Sequence, residues 1–248
     1  MTDSIALQIY VERYFVPLDE LARLGGVSLD ALTALIAAHA VPGPIYSIWP
    51  NGAFWSPIGG QHGPEPVGVP THWYAPAAAW WVRRSHCLTP AAAAVAFKER
   101  FVTDFVTRLA SEPQGHLGYP KVYQSGSFDP HAAAEAAHSE WHDWIDGGYG
   151  VCLRQADAHH AITKTCCRAA ILEITDEGRT IRLTPEQTDV LLTAMEQLDA
   201  VMLPFAPHQR PHGTPGLWLD AMLARYGLGT TREAISAAPA APSPRLCA

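Results

Sequence analysis

Charge is scarce in this chain. Only 17% of its 248 residues are Asp, Glu, Lys or Arg, and 17 basic residues face 24 acidic ones for a formal net charge of −7. That argues against broad binding to a phosphate backbone, which needs a basic face. Long apolar runs are missing as well. None reaches the roughly 18–20 residues that a membrane span requires. The opening stretch, MTDSIALQIYVERYF, carries Asp3, Glu12 and Arg13 and lacks the basic-then-apolar layout of a secretory signal. A soluble, cytoplasmic protein is the expectation, with no nucleic acid or membrane as partner. Cysteine is sparse and unpatterned: Cys87, Cys152, Cys166, Cys167 and Cys247 are odd in number and include no CxxC pair. A disulfide framework and a thiolate-built structural zinc site are both disfavoured. No standard cofactor motif is present either.

What the chain does have is apolar content, 48% over 248 residues. That suffices for a substantial core in one large domain or two small ones. Helical spacing dominates. Residues 4–16 predict a short helix. In 16–46, Leu18, Leu21 and Leu24, then Leu29, Leu32, Leu35 and Ile36, predict two helices broken at Gly25–Gly26, with Ser28 capping the second. Residues 45–75, rich in Gly, Pro and aromatics, read as a long irregular segment with at most one short hairpin. A helix is expected from about 76, carrying Trp80 and Trp81. Thr89–Pro90 opens another, running to about 110, with Phe97, Phe101, Phe105 and Leu109 inside.

Further helices are expected over 131–146, 158–175, 185–203 and 216–226. In the first of the last three, Ile162, Cys166, Ala169, Ala170 and Leu172 point inward. In the second, Val190, Leu191, Ala194, Leu198 and Val201 do. The fold class is mainly α: a multi-helix globular bundle of about seven helices with little or no sheet. The expected divisions are a helix-turn-helix-like N-terminal part (1–46), a main helical domain (47–230) and a disordered Pro/Ala tail (231–248). The helix pair is a poor DNA reader, because Ser28 to His39 holds no Arg, Lys, Asn or Gln to reach a base edge.

The densest chemistry lies in HAAAEAAHSEWHDW, residues 131–144. At about 100° per residue, His131, Glu135, His138 and His142 fall within roughly 60° of arc on one helix. Ala134, Ala137, Trp141, Trp144 and Ile145 form the neighbouring greasy face. Imidazoles one turn apart suit proton transfer near neutral pH, with Asp143 or Glu140 to orient one. They also suit a metal, iron or zinc, on Glu135, His138 and His142, although no second ExxH pair exists to complete a di-iron site. A solvated polar face is the plain alternative. DGGYGVC, 146–152, follows at once. Its glycine turn could hold an anion on backbone N–H groups, and Cys152 could act as a nucleophile with His142 as base. The plain reading is a helix cap followed by a buried thiol. Lys164, His208 and Arg210, with Tyr46 and Trp141, are candidates to bind substrate. Trp49, Phe54, Trp55, Trp73, Trp80 and Trp81 could line a pocket or simply fill the core.

YFVPLDELARLGGVSLDALTALI…VPGPIYS, EWHDWIDGGYGVCL, Lys164 and the APH loop at 206–208 together resemble the DUF6058 group of actinobacterial proteins associated with natural-product biosynthesis. The resemblance covers roughly residues 8–228. It departs at Gln209, where the pattern carries an acidic residue. It implies a role in making a specialised metabolite from an unusual amino acid, free or bound to a carrier protein.

The residues and the resemblance together set three expectations. The first is an enzyme acting by acid–base chemistry without a cofactor on an amino-acid-derived intermediate, for instance closing a ring as an amine displaces sulfate or phosphate. His138, His142, Asp143, Tyr149 and Cys152 would be its catalytic residues. The second is a metal-dependent oxygenase or hydrolase on the Glu135/His138/His142 stripe. The third is a non-catalytic partner subunit, forming a homo- or heterodimer.

Overall fold

The computed structural model describes residues 2–124 and 126–228; the stretch expected to form a disordered tail, 231–248, lies outside them. The chain begins with α1 (Thr2–Tyr14), α2 (Leu18–Gly25) and α3 (Leu29–Ala37). Gly26, at φ 70°, ends α2, and the Ser28 hydroxyl accepts the Ala31 N–H to start α3. The expected helix pair is therefore present, with the turn where Gly25–Gly26 placed it.

The irregular segment folds further than its sequence suggests. It contributes β1 (Tyr46–Ile48), β2 (Phe54–Ser56), β3 (Gly60–His62) and β4 (Thr71–Trp73). These pair antiparallel in the order β3-β2-β1-β4. Each strand is only three residues long, too short for a period-of-two pattern to stand out.

A short helix, α4 (Ala79–Val82), sits between two 3₁₀ turns. Then come α5 (Pro90–Ala110), α6 (Gly115–Gly118), α7 (Pro130–Ile145), α8 (Ala158–Thr175), α9 (Pro185–Val201) and α10 (Ala221–Tyr226). Ten helices and one small sheet among the described residues make the protein mainly α. The caps follow the sequence. Thr89, Asp129, Asp157 and Thr184 each accept a backbone N–H from the first turn of the helix they precede, and Thr184 forms a full capping box with Gln187.

One apolar cluster runs from Leu7 to Ala206 and takes in residues on both sides of position 46. At its centre the Trp81 ring lies 5.1 Å from Phe97 and 5.2 Å from Trp141, and Phe101 lies 5.4 Å from Trp141. Burying a side chain of this size contributes roughly 1.5–3 kcal/mol. A second cluster joins α8, α9 and α10 through Cys167, Ile171, Leu191, Met195, Leu198 and Leu223. Val190, expected inside α9, is instead 47% exposed. The buried face runs through Leu191, Ala194, Met195 and Leu198, and position 190 lies a full residue step of about 100° away from it.

Candidate functional site

The path to the site begins at the end of α7. After Ile145 the chain turns through Asp146-Gly147-Gly148 into a 3₁₀ turn, Tyr149–Val151. Gly147 has φ 84°, and a Cβ there would meet Pro57 Cγ at 2.8 Å. A Cβ on Gly150 would lie 2.3 Å from Ile45 Cδ1. Both positions need glycine because the turn is pressed against the segments flanking the sheet. The N–H groups of Gly147, Gly150, Cys152 and Leu153 all donate to main-chain carbonyls. The glycines thus serve close packing, and Gly147 does not offer the anion cradle read from the sequence.

Cys152 follows this turn, 1% exposed. Its carbonyl accepts the Leu203 N–H at 2.9 Å, and Leu153 bridges to Met202, so its backbone is tied to the exit of α9. Its thiol lies 3.6 Å from the Gly148 carbonyl. On the other side, Lys164 of α8 donates to it, with Nζ 3.0 Å from Sγ. The same ammonium sits over the Tyr149 ring, 4.9 Å from its centroid, a cation–π contact that holds it in place. The Tyr149 hydroxyl donates to Glu140 Oε2, and the Tyr119 hydroxyl donates to Glu140 Oε1 at 2.8 Å. Tyr46, fully buried and near enough for Cys152 to influence its hydroxyl electrostatically, donates to Gln209 Oε1 at 2.9 Å. Tyr10 packs edge-on against Tyr46 with ring centroids 6.1 Å apart.

The electrostatics of this cluster follow from burial. Glu140 is 8% exposed. Burial pushes its carboxyl above the usual range, against the two phenol hydrogen bonds and the nearby Lys164 charge, which pull it down. Burial and the neighbouring carboxylate raise both Tyr119 and Tyr149 well above the ordinary phenol value. Burial likewise raises Tyr46 and Tyr10. These phenols stay protonated, and Tyr46, Tyr119 and Tyr149 act as donors. The cluster therefore joins a thiol, an ammonium, a carboxyl and phenols in a low-dielectric setting, where their interactions are stronger than in water.

Of the expected catalytic residues, Tyr149 and Cys152 are in this cluster. Asp143 is exposed at its edge, near enough to Glu140 and Tyr149 to disfavour a second negative charge. His138 and His142 are on the opposite, solvent-facing side of α7 and are exposed, as are His131 and Glu135. His142 Nε2 pairs with Asp146 at 3.2 Å, and His131 Nδ1 with Glu135 at 3.6 Å. The base expected for Cys152 was His142; Lys164 is the group that reaches it. Nor does the stripe gather a metal set. Among the described residues no group of three or more His, Cys, Asp or Glu side chains is placed to hold an ion. Glu135, His138 and His142 follow one another along a solvated surface, and no neighbouring element brings them a further ligand.

Of the expected substrate-binding residues, Lys164 and Tyr46 are in the cluster. Trp141 is not, because it is locked between Trp81 and Phe101 in the core. Arg210 is committed to Asp220 through two bonds of 2.8 and 2.9 Å, which leaves it poorly placed to hold a departing anion. His208 is half-buried, edge-on to Phe54 at 5.2 Å and 5.9 Å from His62. The aromatic-rich segment is divided: Trp81 is core, Trp55 is 36% exposed, and the other four lie between. A separate cavity of about 270 Å³ at the α2–α3 turn, lined by Ser28, Leu35, His86 and Leu88 among others, contains none of the expected residues.

Sequence reasoning gave Glu140 only an orienting role and passed over Tyr119 and Tyr10. A signal for Glu140 was available. It lies three residues after Ala137 and four before Trp144, on the apolar face of α7, where a carboxylate has a reason to be.

Fold and cluster together define a mainly α-helical protein with a buried thiol–ammonium pair backed by a carboxyl–phenol network. The chain belongs to the DUF6058 family, a family of unknown function, which it matches over residues 97–227, just over half its length. No curated protein and no solved structure matches it.

Proposed function

We propose that the protein is an enzyme of specialised metabolism that acts on an amino-acid-derived intermediate, free or carrier-bound. It would work by proton transfer and thiol chemistry at Cys152 and Lys164, with no redox cofactor in the step. The observation that carries the reading is the 3.0 Å contact between Lys164 Nζ and Cys152 Sγ inside a buried polar network. Polar groups cost free energy to bury, and a buried cluster that gathers several of them is a candidate for catalytic groups. The metabolic setting rests on the family resemblance.

In its concrete form the reaction is ring closure. The substrate amine attacks carbon, a C–N bond forms, and the C–O bond to sulfate or phosphate breaks. Cys152 as thiolate takes the amine proton. Lys164 faces the departing anion, and the Glu140–Tyr149 pair fixes the ring beneath the ammonium.

Alkylation tests the site without knowing the substrate. Iodoacetamide should label Cys152 in the native protein, and Lys164→Met should slow that labelling about tenfold, because it removes the amine that contacts the sulfur at 3.0 Å. Labelling of other cysteines that leaves Cys152 unmodified would sink the reading.

A second reading, a non-catalytic partner subunit, draws support from the exposed apolar side chains Ile58, Val67 and Val69, the last 84% exposed. It predicts a stable complex on gel filtration and an inert Cys152.

A further inference from the structure

The Lys164–Cys152 contact has a chemical capacity separate from catalysis. The amine nitrogen and the thiol sulfur lie 3.0 Å apart, and each is held from its far side. The Tyr149 ring faces Lys164 Nζ, and the Gly148 carbonyl lies within reach of the thiol. Cys152 is 1% exposed, and its backbone is bonded to Leu203, so the sulfur is not free to swing toward another thiol. The other thiols among the described residues are situated differently. Cys166 and Cys167 are buried on α8, which pushes the pKa of both thiols up to about 12, and the Cys167 thiol donates to Gln197 Oε1 at 3.5 Å. Cys87 is exposed at the surface.

We propose that Lys164 and Cys152 form a covalent, reversible cross-link through one bridging oxygen atom, making the pair an oxidation-sensitive modification site. The oxidant is dioxygen. The S–H bond and one N–H bond of the neutral amine break, an S–O and an N–O bond form, and the O=O bond is cleaved. One oxygen enters the bridge and the other leaves as water with the two hydrogens. Sulfur and nitrogen each give up two electrons, and dioxygen takes all four. The amine proton of the ammonium form is released to solvent. A single oxygen spans the observed gap with a small adjustment of the two side chains, whereas a direct N–S bond would require the atoms to close much further. Once formed, the bridge removes both the thiol and the cation from the site. Two equivalents of dithiothreitol supply four electrons, break the S–O and N–O bonds in turn, and return the thiol and the amine with the bridging oxygen leaving as water.

The inference rests on the contact and not on the proposed reaction, and the two can fail separately. The test is peptide mass spectrometry of the full chain after exposure to air, with and without dithiothreitol and without any substrate. The expected species is a linked pair of peptides carrying Cys152 and Lys164, heavier than their sum by about 14 Da, the gain of one oxygen and loss of two hydrogens. It should disappear on reduction. It should be absent from Lys164→Arg, which keeps the charge, and from Cys152→Ser, with circular dichroism confirming that both variants fold. Three results would each overturn the proposal. In the first, Cys152 is recovered unlinked, as free thiol or as sulfenic or sulfinic acid. In the second, the linked pair is lighter than its sum, as a direct N–S bond requires. In the third, a 14 Da increment survives reductant, as a methyl group would.

Discussion

The two sides of α7 make opposite use of titratable residues. The solvent side carries four of them at regular spacing, and each is paired within its own helix or left to water. The core side carries one, Glu140, which two phenols reach and burial shifts. On the first side water screens each of the proton-handling groups. On the second, desolvation and a fixed set of partners shift Glu140 from its ordinary value. Asp157 sharpens the contrast. Burial alone would raise its carboxyl, but the His160 side chain and backbone N–H, bonded at 2.8 Å, hold it below the usual range. A carboxyl drawn out of water is set by its partners, and phenols leave buried Glu140 closer to its neutral form than an imidazole leaves the half-buried Asp157.

The contrast can be broken or sharpened by substitution along the one helix. The largest change in stability is expected from Trp144→Ala, which empties a fully buried position and should cost about 3–5 kcal/mol in urea unfolding. Glu140→Ala comes next. It strips the Tyr119 hydroxyl of its acceptor in a buried setting, worth about 1–3 kcal/mol. The half-buried Tyr149 can turn to water, so the loss should not double.

Glu140→Gln asks about sign rather than size. The folded protein raises the Glu140 carboxyl, so it binds that proton more tightly than the unfolded chain does. That stability is present below the ordinary carboxylate range and is lost as pH rises through the raised value. Unfolding midpoints should therefore fall as pH rises above the ordinary carboxylate range in the parent and fall less in Glu140→Gln. Equal slopes would mean that Glu140 is not held as described. The smallest effects belong to the solvent side: His138→Ala and His142→Ala should each shift stability by no more than about 0.5 kcal/mol. A larger loss from either would show that its side chain is held by the fold rather than left to water.

Much of the helical framework was legible in the residues. Ser28, Thr89–Pro90, Thr184–Pro185 and Gly26 are local signals, and each marks an end of a helix because capping depends on a few neighbouring atoms. The sheet was not legible beyond a hairpin, since three-residue strands show no period. The candidate site was half legible. Tyr149, Cys152 and Lys164 lie within sixteen positions of one another, and the glycine turn drew attention to them. The apolar face of α7 was legible through Ala137, Trp141, Trp144 and Ile145, but Glu140 within it was not, because a run of histidines outweighs a single glutamate in any count. The Tyr46–Gln209 bond could not be read at all, because nothing local to either residue specifies the other.

That bond joins residues 163 positions apart. Closing so long a stretch of chain costs conformational entropy before any contact repays it. The helices α5, α7 and α8 can associate through nearer neighbours first. On the ribosome, where synthesis runs from the N-terminus, residue 152 emerges well before residue 209. The thiol and the ammonium are thus made long before the segment that helps enclose them, and every newly made chain passes through an interval in which Cys152 has yet to receive its cover.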